Sequence, residues 1–342
     1  MIKFLILSLT DGCNLRCKYC YAGAKETKNV LPLALAKQAL DLAAKDNERF
    51  KVQFSGGEPL LVFDRLKEIV EYARERELPA DFQVQTNATL ITEQMAEELK
   101  QLDLGIGVSL DGRPELNDRL RPLAGRGSST ALTVQGINNL KQAGLGAGLT
   151  CVISAENAEH LEEIVDLAYY LGNIRLIGFD LLRLHGRGKQ LTAPEPDKVR
   201  SGLKKALLRQ QHLEKLTGQR IIFRQLEQSK WRENSPECGF SHCYAMRGES
   251  LLLCPNGDLY PCGSLSGEQD FYLGSLKEAP DLKKMQEAEG KCSRWMEECY
   301  NCADFKLCGG GCFARFYWAG SHRYAAECAL KKTFIDERKR KK

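Results

Sequence analysis

Six short apolar runs alternate with amphipathic stretches along the first half of the chain. The runs have the length of buried β-strands, and the stretches repeat apolar residues at the spacing of one helix face. The predicted strands cover residues 2–8, 52–55, 82–86, 106–109, 149–153 and 174–182, and the predicted helices cover 31–45, 63–75, 92–101, 130–143, 161–171 and 194–216. Strands that alternate with helices form a parallel sheet with right-handed crossovers. The pattern therefore predicts an α/β fold, a partial (β/α)6 barrel of the TIM type, with functional groups at the carboxyl ends of the strands.

The second half of the chain is rich in cysteine and glycine and has few long periodic runs. Ten of the fourteen cysteines lie between Cys238 and Cys328. Such a segment cannot bury a large core, so we expect metal centres to hold it together, as in small metallo-domains. The predicted domains are a barrel at 1–190, a helical linker at 191–235, a small cysteine-rich domain at 236–330 and a basic tail at 331–342.

Composition and charge exclude several classes of protein. Charged residues make up 27% and hydrophobic residues 43% of the chain, the balance of a globular protein. The net charge is only +4, and Lys and Arg are scattered except for one cluster at 338–342. This distribution argues against a nucleic-acid partner. The apolar start meets Asp11 with no cleavage site, and no stretch approaches the roughly 20 apolar residues that span a bilayer. We therefore predict a cytoplasmic protein with no membrane association. In that reducing compartment, clustered cysteines indicate metal or cluster ligands rather than disulfides.

Three cysteines follow the first predicted strand: Cys13, Cys17 and Cys20 form a C-x3-C-x2-C loop. An iron-sulfur cubane has four irons, so three cysteines leave one iron without a protein ligand. An open position of this kind separates catalytic from structural metal sites. From the residues alone, a zinc site or a structural cluster completed by a distant cysteine is the alternative.

Small polar groups stand at the ends of the next predicted strands. Gly56, Gly57 and Glu58 follow the second strand, Asn87 follows the third, and Ser109 opens the S-L-D-G segment at the end of the fourth. Two glycines let backbone approach a ligand closely, and Glu58 can accept a hydrogen bond from an ammonium group. These groups are expected to face one mouth of the barrel.

With these motifs the sequence resembles the radical S-adenosylmethionine (radical SAM) superfamily, whose signature loop carries an aromatic residue before the last cysteine, here Tyr19. The resemblance implies that Cys13, Cys17 and Cys20 hold a 4Fe-4S cluster. The open iron would be chelated by the amino and carboxylate groups of S-adenosylmethionine (AdoMet). The residues that match AdoMet-binding positions of the family are Tyr19, Gly56, Gly57, Glu58, Asn87, Ser109 and Arg121.

The C-terminal cysteines have regular spacing, with Gly257 preceding Cys262 in a G-x4-C element. A zinc ribbon is the structural alternative. The array is similar to the SPASM domain, the twin-cluster extension of peptide-modifying radical enzymes. That resemblance implies two auxiliary 4Fe-4S clusters, one on Cys238, Cys243, Cys262 and Cys312 and one on Cys299, Cys302, Cys308 and Cys328. Cys238 lies outside the seven-cysteine motif, and without it the first cluster would have an open iron for a substrate thiolate. Cys151, Cys254 and Cys292 receive no role.

The resemblance also implies a reaction. A radical SAM oxidoreductase of the maturase type would reductively cleave AdoMet to a 5'-deoxyadenosyl radical and oxidatively modify a side chain of a ribosomally made peptide or protein, for example by a cross-link. Sulfatase maturases have an Asp base after the G-x4-C cysteine, whereas this chain has Gly263, so no general base is identified; Asp258, Asp304 or a substrate-bound water could substitute. The alternatives are a sulfatase maturase or other enzyme maturase, an enzyme of porphyrin or quinone cofactor synthesis, or a non-catalytic iron-sulfur electron carrier.

The expected partners follow from this reaction. They are a peptide or protein substrate and an electron donor of the flavodoxin or ferredoxin type. Because the first strand begins at residue 2, leader recognition would come from a separate leader-binding protein. The His-Gly-Arg-Gly segment at 185–188 is predicted to be a basic turn, with contact to a substrate carboxylate as the alternative.

Overall fold

One sheet carries the strands that the alternating pattern predicts. The structure is a computed structural model that describes residues 1–24, 26, 29–45, 47–234, 243–278, 283–284, 286–288, 290, 297–320 and 324–340. The strands of the described chain are β1 (Phe4–Thr10), β2 (Phe50–Gly56), β3 (Ala80–Thr86), β4 (Gly105–Ser109), β5 (Ala147–Ile153), β6 (Ile174–Leu181), β7 (Ile222–Phe223), β8 (Ser250–Leu253), β9 (Asp258–Tyr260) and β10 (Gly274–Ser275).

Strands β1 to β6 lie side by side in chain order, and every neighbouring pair is parallel. Leu5 and Leu7 of β1 and Val52 and Phe54 of β2 are fully buried, which places the core between the sheet and its helices. The six predicted strands and the α/β fold are confirmed. All six carboxyl ends therefore open on the same edge, where a site can be assembled.

Helices lie between these strands along the chain and in the cysteine-rich half. They are α1 (Leu33–Ala44), α2 (Phe63–Glu75), α3 (Glu93–Gln101), α4 (Pro114–Leu120), α5 (Ser129–Gln142), α6 (Glu162–Leu171), α7 (Pro196–Thr217), α8 (Arg224–Asn234), α9 (Glu297–Tyr300), α10 (Phe305–Cys308), α11 (Phe313–Trp318) and α12 (Ala325–Arg340). The hydroxyls of Thr92 and Ser128 each accept a hydrogen bond from the backbone N–H three residues later in the chain. The two residues are therefore the N-caps of α3 and α5. Across the described residues, no helix is both long and apolar enough to cross a membrane.

The cysteine-rich half shares the barrel's sheet and core. β8 pairs in parallel with β1, and β9 and β10 continue the sheet from β8 as antiparallel strands. At the opposite edge of the sheet, β7 pairs with β6. Leu251 and Leu253 of β8 are fully buried. The sequence did not predict that this segment joins the barrel sheet, because a strand of four residues is too short to show a period. The domain boundaries at 190, 235 and 330 stay a prediction.

Residues 331–340, predicted as a basic tail, are helical in the structure. They are the second part of α12, which packs against α7 and α8. Phe334 and Ile335 are buried, and Gln211 of α7 donates a hydrogen bond to Glu337 at 2.8 Å. The basic residues at the end of the sequence do not prevent a helix here, because the helix dipole favours cations in the last turn. Residues 341–342 lie outside the described chain.

Candidate functional site

A cavity of about 330 Å³ opens at the carboxyl ends of the barrel strands. It is within the size range of small-molecule sites. The residues predicted from sequence for this site all line it: Cys13, Cys17, Cys20, Tyr19, Gly56, Gly57, Glu58, Asn87, Ser109 and Arg121. The structure therefore brings together groups that the sequence spreads over 109 positions. Their contacts with AdoMet stay a prediction.

The loop that carries the first three cysteines is clamped by the chain after α4. Arg16 N donates to Pro122 O at 2.7 Å, and Lys18 N donates to Leu120 O at 2.9 Å. In the opposite direction, Ala124 N donates to Asn14 O of the loop at 2.9 Å. These backbone bonds fix the loop without using a thiol. The cysteine sulfurs stay available to a ligand.

A buried polar trio supports the same loop. The Tyr19 hydroxyl donates to Asp111, Arg121 donates to Tyr19, and Asp111 also accepts from Val152 N at 2.8 Å. Asp111 is 1% exposed and Arg121 is 8% exposed, so each depends on the others for hydrogen bonds. Sequence reasoning placed Tyr19 and Arg121 against AdoMet, whereas their polar ends bind each other here. It missed Asp111, although the S-L-D-G segment contains it.

The turn at 185–188 is a second clamp on the cysteine loop. Arg187 donates from Nε to Cys17 O at 2.8 Å and from Nη1 to Ala24 O at 3.0 Å. Gly186 has φ +56, and a Cβ there would lie 2.6 Å from the carbonyl oxygens of Cys20 and Tyr21. Arg187 binds the loop and also lines the cavity, so contact of this predicted basic turn with a substrate carboxylate stays the alternative.

Gly56 and Gly57 also permit a close approach within the protein itself. A Cβ on Gly56 would lie 2.3 Å from Thr10 O, and a Cβ on Gly57 would lie 2.0 Å from Gly12 O. Gly57 N and Glu58 N donate to those same two carbonyls. The glycines thus let the end of β2 pack against the end of β1. The close approach is between two pieces of backbone.

Glu58 ties neighbouring strand ends together. Its buried carboxylate accepts from Thr86 Oγ1 at 2.6 Å, Asn87 N at 2.8 Å and Leu60 N at 3.1 Å. Burial raises the pKa of Glu58 despite these bonds. A carboxylate has about four acceptor positions, so one remains for a ligand cation.

The thiols of the loop fit a metal cluster as donors. Burial raises the pKa of Cys13 to about 11 and also raises the pKa of Cys17. Thiolates in such a place require a compensating cation, and bound metal supplies it.

A second cavity of about 280 Å³ lies in the cysteine-rich half. The four cysteines predicted for the second auxiliary cluster all line it: Cys299, Cys302, Cys308 and Cys328. Arg232 donates to the carbonyls of Leu307 and Cys308, and its buried Nε and Nη2 have no partner among the described residues. Lys331 also lines the cavity. The Arg232 guanidinium near Cys308 and the Lys331 ammonium in the cavity wall are cations that fit an anionic iron-sulfur cluster.

Three cysteines of the other predicted auxiliary set are also grouped. Burial raises the pKa of Cys243 to about 12, and the charges of Cys312 and Cys262 add to the effect because they lie nearby. Cys238, the fourth predicted ligand, lies outside the described residues, as does Cys292. Cys151 is fully buried in β5, and Cys254 lies in the turn after β8.

Tyr21 connects the first cavity to this auxiliary group. A Cβ on Gly263, next to Cys262, would lie 3.6 Å from the Tyr21 hydroxyl. The Arg183 guanidinium lies 5.1 Å from the centre of the Tyr21 ring. Tyr21 and Arg183 both line the first cavity, together with Asp180 and Arg224. One wall of the first cavity therefore lies close to the cysteine-rich half.

Comparison with known proteins agrees with this geometry. A family model described as the Radical SAM superfamily matches residues 7–168. A protein of Methanocaldococcus jannaschii described as uncharacterised is 34% identical over 284 residues, 82% of this chain and 91% of that protein. The chain belongs to the radical SAM superfamily. This radical SAM chain is therefore an enzyme, and AdoMet and iron-sulfur clusters are its cofactors.

Two further relatives extend over nearly the whole radical SAM chain. The serine-type anaerobic sulfatase-maturating enzyme of Klebsiella aerogenes is 28% identical over 337 residues, 93% of this chain and 81% of that enzyme. The solved structure of native anSMEcpe with bound AdoMet and the Kp18Cys peptide has a TM-score of 0.80 at 21% identity and covers 99% of this chain and 97% of its own. At that identity the structural match shows a common fold.

Proposed function

We propose that this enzyme oxidatively modifies a side chain of a ribosomally made peptide or protein. The observation that carries the proposal is the closeness of Tyr21, next to Cys20, to Gly263, next to Cys262: a Cβ built on Gly263 would lie 3.6 Å from the Tyr21 hydroxyl. An oxidation needs an electron acceptor close to the reacting carbon. Two thiol sets that meet across one residue provide that proximity.

In this proposal Cys13, Cys17 and Cys20 hold the cluster that binds AdoMet. When both cofactors are bound, one-electron reduction cleaves AdoMet and the resulting 5'-deoxyadenosyl radical removes a hydrogen atom from the substrate. The chain holds the loop by backbone bonds from 120–124, and it buries Tyr19 and Arg121 against that loop.

The ends of β2, β3 and β4 bind AdoMet in this proposal. Glu58 accepts from the ammonium group with its remaining lone pair, while Ser109 faces the cavity and already accepts from Gln85 Nε2 at 2.9 Å. The hydroxyl of Ser109 then has its own proton to donate. Asn87 binds Asn14 at 2.9 Å, which couples the AdoMet wall to the cysteine loop.

Two sets of cysteines would hold auxiliary clusters, which would supply an acceptor for the electron that leaves the substrate. One is held by Cys243, Cys262 and Cys312, with Cys238 as the proposed fourth ligand, and the other by the four cysteines of the second cavity. Reduction potentials of such clusters depend on hydrogen bonds to sulfur and on nearby charge. Ser264 N already donates to the Cys262 sulfur at 3.4 Å.

The class of substrate is supported by the relatives. The names of the two relatives are those of a sulfatase-maturating enzyme and of a protein crystallised with a peptide. A flavodoxin or ferredoxin is the proposed electron donor, and a separate protein is the proposed reader of any leader peptide.

Sulfatase maturation is the second candidate, because the Klebsiella relative aligns over 93% of the chain. Against it, Gly263 leaves no carboxylate after Cys262. The carboxylates that line the first cavity are Glu58 and Asp180, and both are engaged, Asp180 by Arg183 at 2.8 Å. Neither Asp258 nor Asp304 lines that cavity. We therefore favour an oxidation that does not require a base to deprotonate a thiol or hydroxyl of the substrate.

The first experiment measures the AdoMet reaction alone. Anaerobically purified, reconstituted enzyme with dithionite is expected to produce 5'-deoxyadenosine, and a variant with Cys13, Cys17 and Cys20 replaced by Ala is expected to produce none. Cys254→Ala is the matched control, since Cys254 lines neither cavity. Equal activity in the triple variant would show that the loop does not hold the cluster.

The second experiment identifies the substrate. The enzyme is co-expressed anaerobically with each short reading frame that neighbours its gene, and the peptides are sequenced by tandem mass spectrometry. A peptide that loses two hydrogens, with fragmentation blocked between two residues, supports the proposal. Modification of a small molecule with no change in any peptide would overturn it.

A further inference from the structure

Arg224 projects into the first cavity from the far side of the barrel. It is the first residue of α8, directly after β7, and it lines the cavity. Its guanidinium rests on Gly178 of β6: a Cβ at Gly178 would lie 2.4 Å from Arg224 Cζ and 2.5 Å from Nη2. A glycine at 178 is therefore what leaves room for the guanidinium in this cavity.

The charges around Arg224 leave it in excess. Asp180 pairs with Arg183 at 2.8 Å and also with Arg315. Arg315 pairs in turn with Glu327 at 2.6 Å. Two carboxylates thus balance two guanidiniums, and Arg224 adds one further positive charge.

Arg224 itself has no hydrogen bond or ion pair to any residue that the structure describes. Burial lowers the pKa of Arg224; the charge of Asp180 opposes this shift, while the charges of Arg315 and Arg183 add to it. Holding an unpaired guanidinium in a partly desolvated wall costs stability unless an anion binds it. The planar fork of Arg suits two parallel bonds to a carboxylate.

Arg224 also stands away from the AdoMet-side groups. Glu58 follows β2, and Ser109 ends β4, whereas Gly178 lies in β6 and Arg224 follows β7. The wall on this side is the one that reaches Tyr21 and Gly263 in the cysteine-rich half. The space beside Arg224 is therefore on the substrate side of the cavity.

We propose that Arg224, seated on Gly178, binds a carboxylate of the substrate and so selects an acidic residue near the modified position. This inference rests on the proposed function and names the substrate class for the same site. A side-chain carboxylate of a peptide and a free small-molecule carboxylate share this chemistry, and the test separates them.

The test measures retention of peptides on AdoMet-loaded holoenzyme by affinity selection and mass spectrometry. Two random hexapeptide pools are used, with a fixed central Glu or its neutral isostere Gln. The wild type is expected to retain the Glu pool about 10-fold more or better, the range of one charge-assisted bidentate contact. Arg224→Gln should lose this preference, and Arg224→Lys should keep part of it.

Two more variants guard against a folding defect. Gly178→Ala should lose the preference while Arg224 is still present, because the Cβ displaces the guanidinium. Lys230→Gln, an exposed change on the same helix, should behave as the wild type. Glutarate, added as a competitor, should reduce retention of the Glu pool and leave the Gln pool unchanged.

Three outcomes would overturn the inference. The first is an equal Glu preference in wild type and Arg224→Gln. The second is strong binding of glutarate with no preference between the pools, which would assign Arg224 to a small-molecule carboxylate. The third is a rise of 10-fold or more in the AdoMet Kd of Arg224→Gln with the Glu preference intact, which would assign it to the cofactor carboxylate. Failure of the wild type to form 5'-deoxyadenosine would contradict the proposed function instead, since pool retention does not require turnover.

Discussion

The hydroxyl oxygen of Tyr21 lies 3.6 Å from the point that a Cβ on Gly263 would occupy. That distance is an ordinary van der Waals contact, and Gly263 is not among the glycines with positive φ. The fold therefore does not require glycine at 263. The missing side chain leaves the space beside Cys262 to the Tyr21 phenol.

Gly263→Ala is accordingly expected to keep its iron content and its rate of AdoMet cleavage. Gly186→Ala is expected to lose most of both, because its Cβ would lie 2.6 Å from two carbonyl oxygens of the cysteine loop at φ +56. Iron per chain and 5'-deoxyadenosine formation are measured side by side. Similar losses in the two variants would contradict the difference in packing.

Removal of ligands should empty one cluster at a time. The double variant Cys299→Ala/Cys302→Ala is expected to lose about four irons per chain, the content of one cubane, because both residues line the second cavity. Cys254→Ala should lose none. Iron and sulfide analysis with electron paramagnetic resonance of the reduced protein checks both. Iron loss in Cys254→Ala would mean that the assignment of the ligands is wrong.

Much of this site is visible in the sequence. Strand and helix periods place polar groups at strand ends, and Cys13, Cys17 and Cys20 follow the first strand directly. The parts that were missed act over long sequence distances: Asp111 binds Tyr19 across 92 positions, and Arg187 binds Cys17 across 170. No local period records such pairs.

Other differences come from features too short to give a period. The strand β8 has four residues, yet it extends the barrel sheet past the predicted domain boundary. Gly56 and Gly57 are recognisable as a motif, but only the fold shows that backbone fills the space at their Cα atoms. The residues suffice to name a motif, whereas its contacts depend on tertiary packing.

Asp180 is expected to be a main link between the barrel and the cysteine-rich half. Its carboxylate is shared by Arg183 and Arg315, the latter on α11. Asp180→Asn leaves those guanidiniums without their common partner, so the free energy of unfolding should fall by about 3 kcal/mol or more at pH 7. Anaerobic urea unfolding of the loaded enzyme measures this. Asp81→Asn, at an exposed pair with Arg49, is the control and should change little.

The pH dependence of that difference has a definite sign. Burial would raise the pKa of Asp180, but Arg183 and Arg315 outweigh it and hold the pKa below the ordinary carboxyl value. A depressed carboxyl pKa gives stability that is complete above about pH 4 and is lost as the pH falls toward the folded-state pKa. The difference between wild type and Asp180→Asn should thus be the same at pH 7 and pH 5. A difference that shrinks between those values would show that the carboxyl is not held ionised.

Arg232 should set the reduction potential of the cluster in the second cavity. Its guanidinium donates to Cys308 O and leaves Nε and Nη2 buried beside that cysteine. A positive charge favours the more negative, reduced state of a cluster, so Arg232→Gln should make the potential more negative. If the charge contributes about 1.4 kcal/mol, the shift is about 60 mV for one electron. A redox titration followed by electron paramagnetic resonance measures it.

Two companion variants separate charge from packing at this position. Arg232→Lys keeps the charge and should shift the potential much less than Arg232→Gln, although it loses part of the hydrogen bonding to Leu307 O. Arg209→Gln removes a charge from α7, where Arg209 pairs with Asp166, and should leave the potential unchanged. Equal shifts in Arg232→Lys and Arg232→Gln would mean that the guanidinium acts through its hydrogen bonds and not through its charge.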